Sequence, residues 1–117
     1  MTDKVQIAED LRAGAAVIRE KGWHQGGARD LHTGAVCAIG STFDVLGLWG
    51  HSVHERAHPE LRDDLRARTC RHTDAIQALA RYLGEDDVAQ WNDAPGRTAD
   101  EVCAAMEKAA AWTEEQA

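Results

Sequence analysis

The chain has 117 residues, of which 13 are Lys or Arg and 20 are Asp or Glu, giving a formal net charge of −7. Its length fits a single domain with a buried core over residues 1–117, and no apolar stretch reaches the roughly 18 residues that a membrane span requires. The acidic balance disfavours nucleic acid as a partner, because an acidic surface repels phosphate groups.

The first predicted element is an amphipathic helix over residues 3–21. Its apolar residues recur at helical spacing, at Ile7, Leu11, Ala15 and Ile18. Residues 23–37 differ in character, because glycine and polar residues alternate there with short apolar runs, and we expect a small β-hairpin. A second helix is predicted over residues 38–50.

The middle of the chain is predicted to hold a polar joint and then a long helix. Residues 51–57 form the joint, since they lack a clear apolar stripe. Pro59 suits the first position of the third helix, where its missing N–H is not needed, and Gly84 suits the end of that helix. A short helix is predicted over residues 85–93.

The last part of the chain combines turn and capping signals. Residues 94–97, Ala-Pro-Gly-Arg, match a type II turn. Thr98 and Glu101 then form a capping box for a last helix over residues 99–113. The sequence therefore predicts an α+β fold that is mostly helical, with four to five helices and one small β-hairpin around a single core.

Three motifs are distributed over nearly the whole chain. They are Gly22-Trp23-His24-Gln25-Gly26, Val36-Cys37-Ala38-Ile39-Gly40-Ser41, and Trp91-Asn92-Asp93 followed by Gly96-Arg97-Thr98 and Val102. This pattern resembles an uncharacterised domain family of actinobacteria and their phages. The resemblance implies an actinobacterial or actinophage origin and carries no known activity. The segment around His51, His54 and His58 lies outside the pattern.

The acidic residues are concentrated in the last third of the chain. Residues 84–117 hold nine acidic and two basic side chains, whereas the charges of residues 1–83 balance. Such a surface suits a basic partner, although charge runs often serve only solubility. Four tryptophans among few aromatic residues could anchor contacts. The leading hypothesis is a small soluble, non-enzymatic protein-binding module without a cofactor, in the cytoplasm or, if phage-encoded, the host cytoplasm.

The candidate binding residues are Trp23, Gln25, Trp91, Asn92, Asp93, Arg97 and Trp112. Asn92 and Asp93 could bind a ligand or the backbone of the predicted hairpin, and Arg97 could pair with Asp93. The alternative interpretation is structural, with Trp91 filling the core while the two polar residues satisfy loop and helix-end groups.

Cys37 is the candidate catalytic residue of an alternative hypothesis, a hydrolase or transferase. It lies at the predicted start of the second helix, where the helix dipole lowers the pKa of a thiol. The structural interpretation is a small buried side chain that packs the helix start. The three cysteines are widely spaced and form no CxxC pair, which disfavours a disulfide framework and indicates reduced thiols in the cytosol.

His51, His54 and His58 are candidate metal ligands, the third hypothesis. Their spacing of i, i+3 and i+7 would place them on one face if the segment were helical. Cys70 or His72 could then complete a zinc site. The alternative is that these histidines belong to an exposed polar joint.

Overall fold

A computed structural model describes residues 2–116, which form six α-helices. They are α1 (Lys4–Lys21), α2 (Ala38–Val45), α3 (His51–Ala57), α4 (Arg62–Leu83), α5 (Val88–Asn92) and α6 (Ala99–Glu115), with a 3₁₀ turn (Pro59–Leu61) before α4. No helix in this part of the chain combines the length and the apolar character that crossing a membrane would require.

Helix α1 is the central element of the fold. It begins at Lys4, one residue after the predicted start, because the carboxylate of Asp3 accepts a hydrogen bond from Gln6 N at 2.9 Å and caps the first turn. Its apolar stripe, which includes Leu11 and Ile18, is buried. This stripe packs against α6, α2 and α4 and forms the middle of the hydrophobic core.

A partly buried ion pair joins α1 to α4. Asp10 is only 2% exposed, and its two oxygens accept hydrogen bonds from Arg71 Nε at 3.1 Å and Nη2 at 2.7 Å. Gln6 Nε2 donates a third bond to the same carboxylate at 3.0 Å. Because a buried charge is costly unless it is fully paired, these bonds fix how the two helices lie on each other.

Residues 22–37 form a loop, so the predicted β-hairpin and with it the α+β class are wrong. The described residues contain no strand, and the loop contributes two isolated bridges, from Val36 to Trp23 and to Arg29. The first half of the loop directs side-chain and backbone hydrogen bonds to the α5 region instead. A two-stranded hairpin is marginal by itself, and here contacts with a distant helix take its place.

Helices α2 and α3 also differ from the prediction. Helix α2 ends at Val45 rather than at residue 50, and Gly47 then takes a positive φ of 62°. Residues 51–57 form helix α3 instead of a polar joint, which gives six helices instead of four to five. No residue of α3 is buried, so its sequence lacks the apolar periodicity by which a helix is recognised.

The predicted turn and helix cap of the last third are confirmed, whereas the short helix α5 covers Val88–Asn92 rather than residues 85–93. Helix α4 ends at Leu83, and Gly84, whose φ is 68°, follows as its C-cap. The predicted turn closes with a hydrogen bond from Arg97 N to Ala94 O at 3.1 Å. Thr98 then caps α6, accepting a bond from Glu101 N at 3.2 Å.

Gly40 lies where α2 meets the loop. A Cβ at this position would be 1.9 Å from the carbonyl oxygen of Ala28, which accepts a hydrogen bond from Cys37 N. The obstacle is backbone, which cannot rotate away as a side chain could. Only glycine therefore lets the loop approach α2 this closely.

Gly40→Ala is expected to lower the free energy of unfolding by about 1–3 kcal/mol, because the loop must shift to admit the methyl group. The control is Gly27→Ala, whose new Cβ would meet nothing closer than His24 Nε2 at 3.6 Å. Urea unfolding monitored by circular dichroism measures the stability of both variants. Equal unfolding midpoints for the two variants would show that the contact between Gly40 and Ala28 imposes no constraint.

Candidate functional site

A pocket of about 280 Å³ lies between the loop, the start of α2 and α5. It is lined by Gly26, Gly27, Ala28, Cys37, Ile39, Ala89 and Asp93, and we call it the loop pocket. Most of these side chains are small or apolar. Cys37 contributes a thiol and Asp93 a carboxylate, so the chemistry of the pocket rests on these two groups.

Asn92 connects the segments that surround the loop pocket. Its side chain is fully buried. Its Oδ1 accepts hydrogen bonds from Trp23 Nε1 at 2.8 Å and from Ala38 N at 3.1 Å. Its Nδ2 donates to His24 O at 3.0 Å and to Asp93 Oδ1 at 2.9 Å. All four hydrogen-bonding capacities of the amide are used, so Asn92 holds the site together and retains none for a ligand.

Gln25 and Gly26 attach the loop to the residues around Asn92. Gln25 Nε2 donates to Asn92 O at 3.1 Å and to Ala94 O at 3.2 Å. Gly26 N donates to Asp93 Oδ1 at 3.1 Å. The structure thus brings the first and the third sequence motif together across more than 60 residues of chain.

Asp93 is exposed and is the one acidic residue of the loop pocket. Within residues 2–116 this carboxylate accepts two hydrogen bonds, one from Gly26 N and one from Asn92 Nδ2, and both end at Oδ1. Its Oδ2 therefore has no donor in the described part of the chain. Asp93 keeps a free acceptor and a negative charge at the pocket.

Arg97 contacts Trp91 rather than pairing with Asp93. Its guanidinium lies 4.2 Å from the centre of the Trp91 ring, and its Nε donates to Trp91 O at 3.0 Å. Its charge is paired with Glu101, one helical turn along, at 3.1 Å. The predicted Arg97 to Asp93 pair is wrong, because the start of α6 offers a nearer carboxylate.

Trp112 lies away from the other predicted binding residues. It is half-buried on α6, where its ring centre is 6.1 Å from that of Tyr82. Six of the seven predicted binding residues therefore lie close to Asn92, although only Asp93 lines the loop pocket, and Trp112 belongs to another face.

Cys37 is the N-cap of α2, as the sequence predicts, and is 5% exposed. Its Sγ accepts a hydrogen bond from Gly40 N at 3.3 Å. Burial raises the pKa of the Cys37 thiol, and the charge of Asp93 adds to the rise. The expected lowering by the helix dipole is outweighed, so the thiol stays protonated at neutral pH. The catalytic role of Cys37 stays a prediction.

The histidine segment is helical, which is the condition that the metal hypothesis required. His51 and His54 belong to α3, and His58 follows its last residue. However, His51 Nδ1 lies 3.1 Å from Leu48 O, and His58 Nδ1 lies 3.2 Å from Glu60 Oε1. Within residues 2–116 no three His, Cys, Asp or Glu side chains are arranged to hold a metal ion. The metal site stays a prediction that this geometry does not support.

Three further residues of the loop pocket, Ala28, Ile39 and Ala89, were not predicted from the sequence as site residues. Their side chains carry no chemistry that a motif could reveal, and they come from three separate segments of the chain. Only the folded arrangement brings them together.

The site residues fall within a stretch that matches a known family model over residues 2–111. The chain belongs to the family of unknown function DUF6197. This confirms membership of an uncharacterised domain family, while the actinobacterial or phage origin stays an expectation. A 36-residue segment of this DUF6197 chain is 50% identical to phosphoenolpyruvate carboxylase of Yersinia enterocolitica, covering 31% of the chain and only 4% of that enzyme. No solved structure matches the chain.

Asn92→Ala is expected to lower the free energy of unfolding of this DUF6197 domain by about 2 kcal/mol or more, because it leaves Trp23 Nε1 and Ala38 N without their acceptor. Gln90→Ala, at an exposed position of the same helix, is the control and should change stability little. Urea unfolding monitored by tryptophan fluorescence measures both. Similar losses of stability in Asn92→Ala and Gln90→Ala would contradict a central role of Asn92.

Cys37 and Cys103 are expected to react with iodoacetamide much more slowly than the exposed Cys70 at neutral pH, since burial raises the pKa of both thiols. Mass spectrometry of timed samples measures the three rates. Preferential labelling of Cys37 would contradict this expectation and would support the hydrolase or transferase hypothesis.

Proposed function

We propose that this chain is a protein-binding module that takes a Lys or Arg side chain of its partner into the loop pocket. The observation that carries the proposal is the single carboxylate of Asp93 beside walls of glycine, alanine and isoleucine. Long basic side chains combine an apolar stem with a charged head. Such a side chain would pack its stem on Ile39 and Ala89 and pair its head with Asp93.

The charges around α5 support a basic partner. Glu85, Asp86 and Asp87 immediately precede α5, are exposed, and form no ion pair with residues 2–116. By contrast, Glu107 and Glu114 of α6 are each paired with an arginine of α1. Three of the unpaired acids of the last third thus lie in the segment that leads into the pocket, where they would attract a basic segment and speed association.

The size of the loop pocket also favours side-chain capture. A volume of about 280 Å³ is just below the range for small-molecule sites and suits one long side chain. The hypothesis of a thiol hydrolase or transferase has less support, because the raised pKa of Cys37 keeps its thiol protonated.

The test selects binders from a random peptide library on the purified protein. We expect the enriched peptides to carry Lys or Arg, and we expect Asp93→Asn to weaken their binding by about tenfold. Asn at this position keeps an oxygen acceptor for Gly26 N and removes only the charge. Asp100→Asn is the matched control, since it removes the same charge from an exposed position outside the pocket.

Calorimetric titration of one enriched peptide gives the affinities of the wild type and both variants. A second variant, Ala89→Leu, fills the pocket and should also weaken binding. Enriched peptides without basic residues would overturn the proposal. Equal losses in Asp93→Asn and Asp100→Asn would overturn the pocket as the binding site and leave only an effect of net charge.

A further inference from the structure

A larger cavity of about 460 Å³ lies between α1, α4 and α6, and we call it the helix cleft. Ile7, Ala78 and Trp112 give it apolar walls, and Lys4 and Arg81 border it with positive charge. A smaller neighbouring cavity of about 160 Å³ also borders Ile7 and Arg81. The helix cleft thus combines apolar walls with cations, whereas the loop pocket carries the carboxylate of Asp93.

The two cations of the helix cleft are unpaired in the described chain. Neither Lys4 nor Arg81 forms an ion pair with residues 2–116, whereas most basic residues of this acidic chain do, namely Arg12, Arg19, Lys21, Arg62, Arg66, Arg68, Arg71 and Arg97. Asp74 borders the smaller cavity beside Arg81, and its Oδ2 accepts a hydrogen bond from Thr2 N. Two positive charges therefore face one cleft without a carboxylate paired to either.

Trp112 supplies a large apolar surface beside these charges. Its indole is half-buried and is tilted by 58° to the ring of Tyr82. A flat or extended apolar group could pack on the open part of the indole and on Ile7. The volume of the cleft lies within the range of small-molecule sites.

We infer that the helix cleft binds a small organic anion, with a carboxylate held by Lys4 and Arg81 and an apolar body packed on Trp112. This site is separate from the loop pocket and does not depend on the proposed function. The ligand class follows from the two unpaired cations and the apolar walls. An uncharged molecule would leave the cations unused, and an inorganic anion would leave the apolar walls uncovered.

The test uses the fluorescent dye 8-anilinonaphthalene-1-sulfonate, an anion with an apolar body, and its displacement by decanoate or decanol. These competitors share a chain length and differ in charge. We expect decanoate to displace the dye from the wild-type protein at a concentration at least about tenfold lower than decanol, because only decanoate pairs with the cations.

Matched variants localise the site. Lys4→Gln and Arg81→Gln are each expected to weaken decanoate binding by about fivefold or more. Lys108→Gln and Arg56→Gln remove the same charges from exposed positions outside the cleft. They are expected to change the affinity for decanoate by less than about twofold. Asp93→Asn should leave decanoate binding unchanged, which keeps this test independent of the loop pocket.

Equal displacement by decanoate and decanol would overturn the anion preference. Equal effects of Arg81→Gln and Arg56→Gln would overturn the location. The dye also binds partly unfolded chains, so each variant must first show the urea midpoint of the wild type. The comparison of decanoate with decanol on the wild type tests the inference even if a variant is unstable.

Discussion

The buried amide of Asn92 makes four hydrogen bonds at the junction of the loop, α2 and α5, and the shape of the loop pocket depends on them. The loop has no strand to hold it, so its position rests on bonds to this side chain and on the close approach of Ala28 to Gly40. Inside a protein such a network is strong when every member is satisfied and costly when one is missing. Since Asn92 is fully used in holding the structure, the side-chain capture that we propose for this site rests on Asp93.

The folded chain redistributes the charge that the sequence concentrates in its last third. Helix α1 places Arg12 and Arg19 against Glu114 and Glu107 of α6, and these pairs neutralise part of the charge of that helix. The charges that stay unpaired within residues 2–116 include the group of exposed acids before α5 and the two cations of the helix cleft. Both proposed binding sites therefore lie where the tertiary structure leaves charges without partners, and they should select ligands of opposite sign.

The roles of the residues in the sequence motifs depend on the fold. Trp23, Gln25 and Asn92 come together in the structure, and each of them makes internal contacts that stabilise the fold. Arg97 was expected to pair with Asp93 and pairs with Glu101 instead. The expected lowering of the pKa of the Cys37 thiol is reversed by burial. In each case the deciding quantity is a distance or a degree of burial, which a motif does not contain.

The sequence by itself determined the elements whose causes are local. Asp3 caps α1 and Thr98 caps α6, because each bonds to an N–H three residues along the chain, and apolar periodicity marks the buried faces of the long helices. Only the tertiary structure decided that residues 22–37 form a loop, that α3 is a helix, and where the loop pocket and the helix cleft lie. The loop and the cavities depend on contacts between residues far apart in the chain, and α3 is a helix without a buried face. Neither kind of feature leaves a periodic apolar pattern in the sequence.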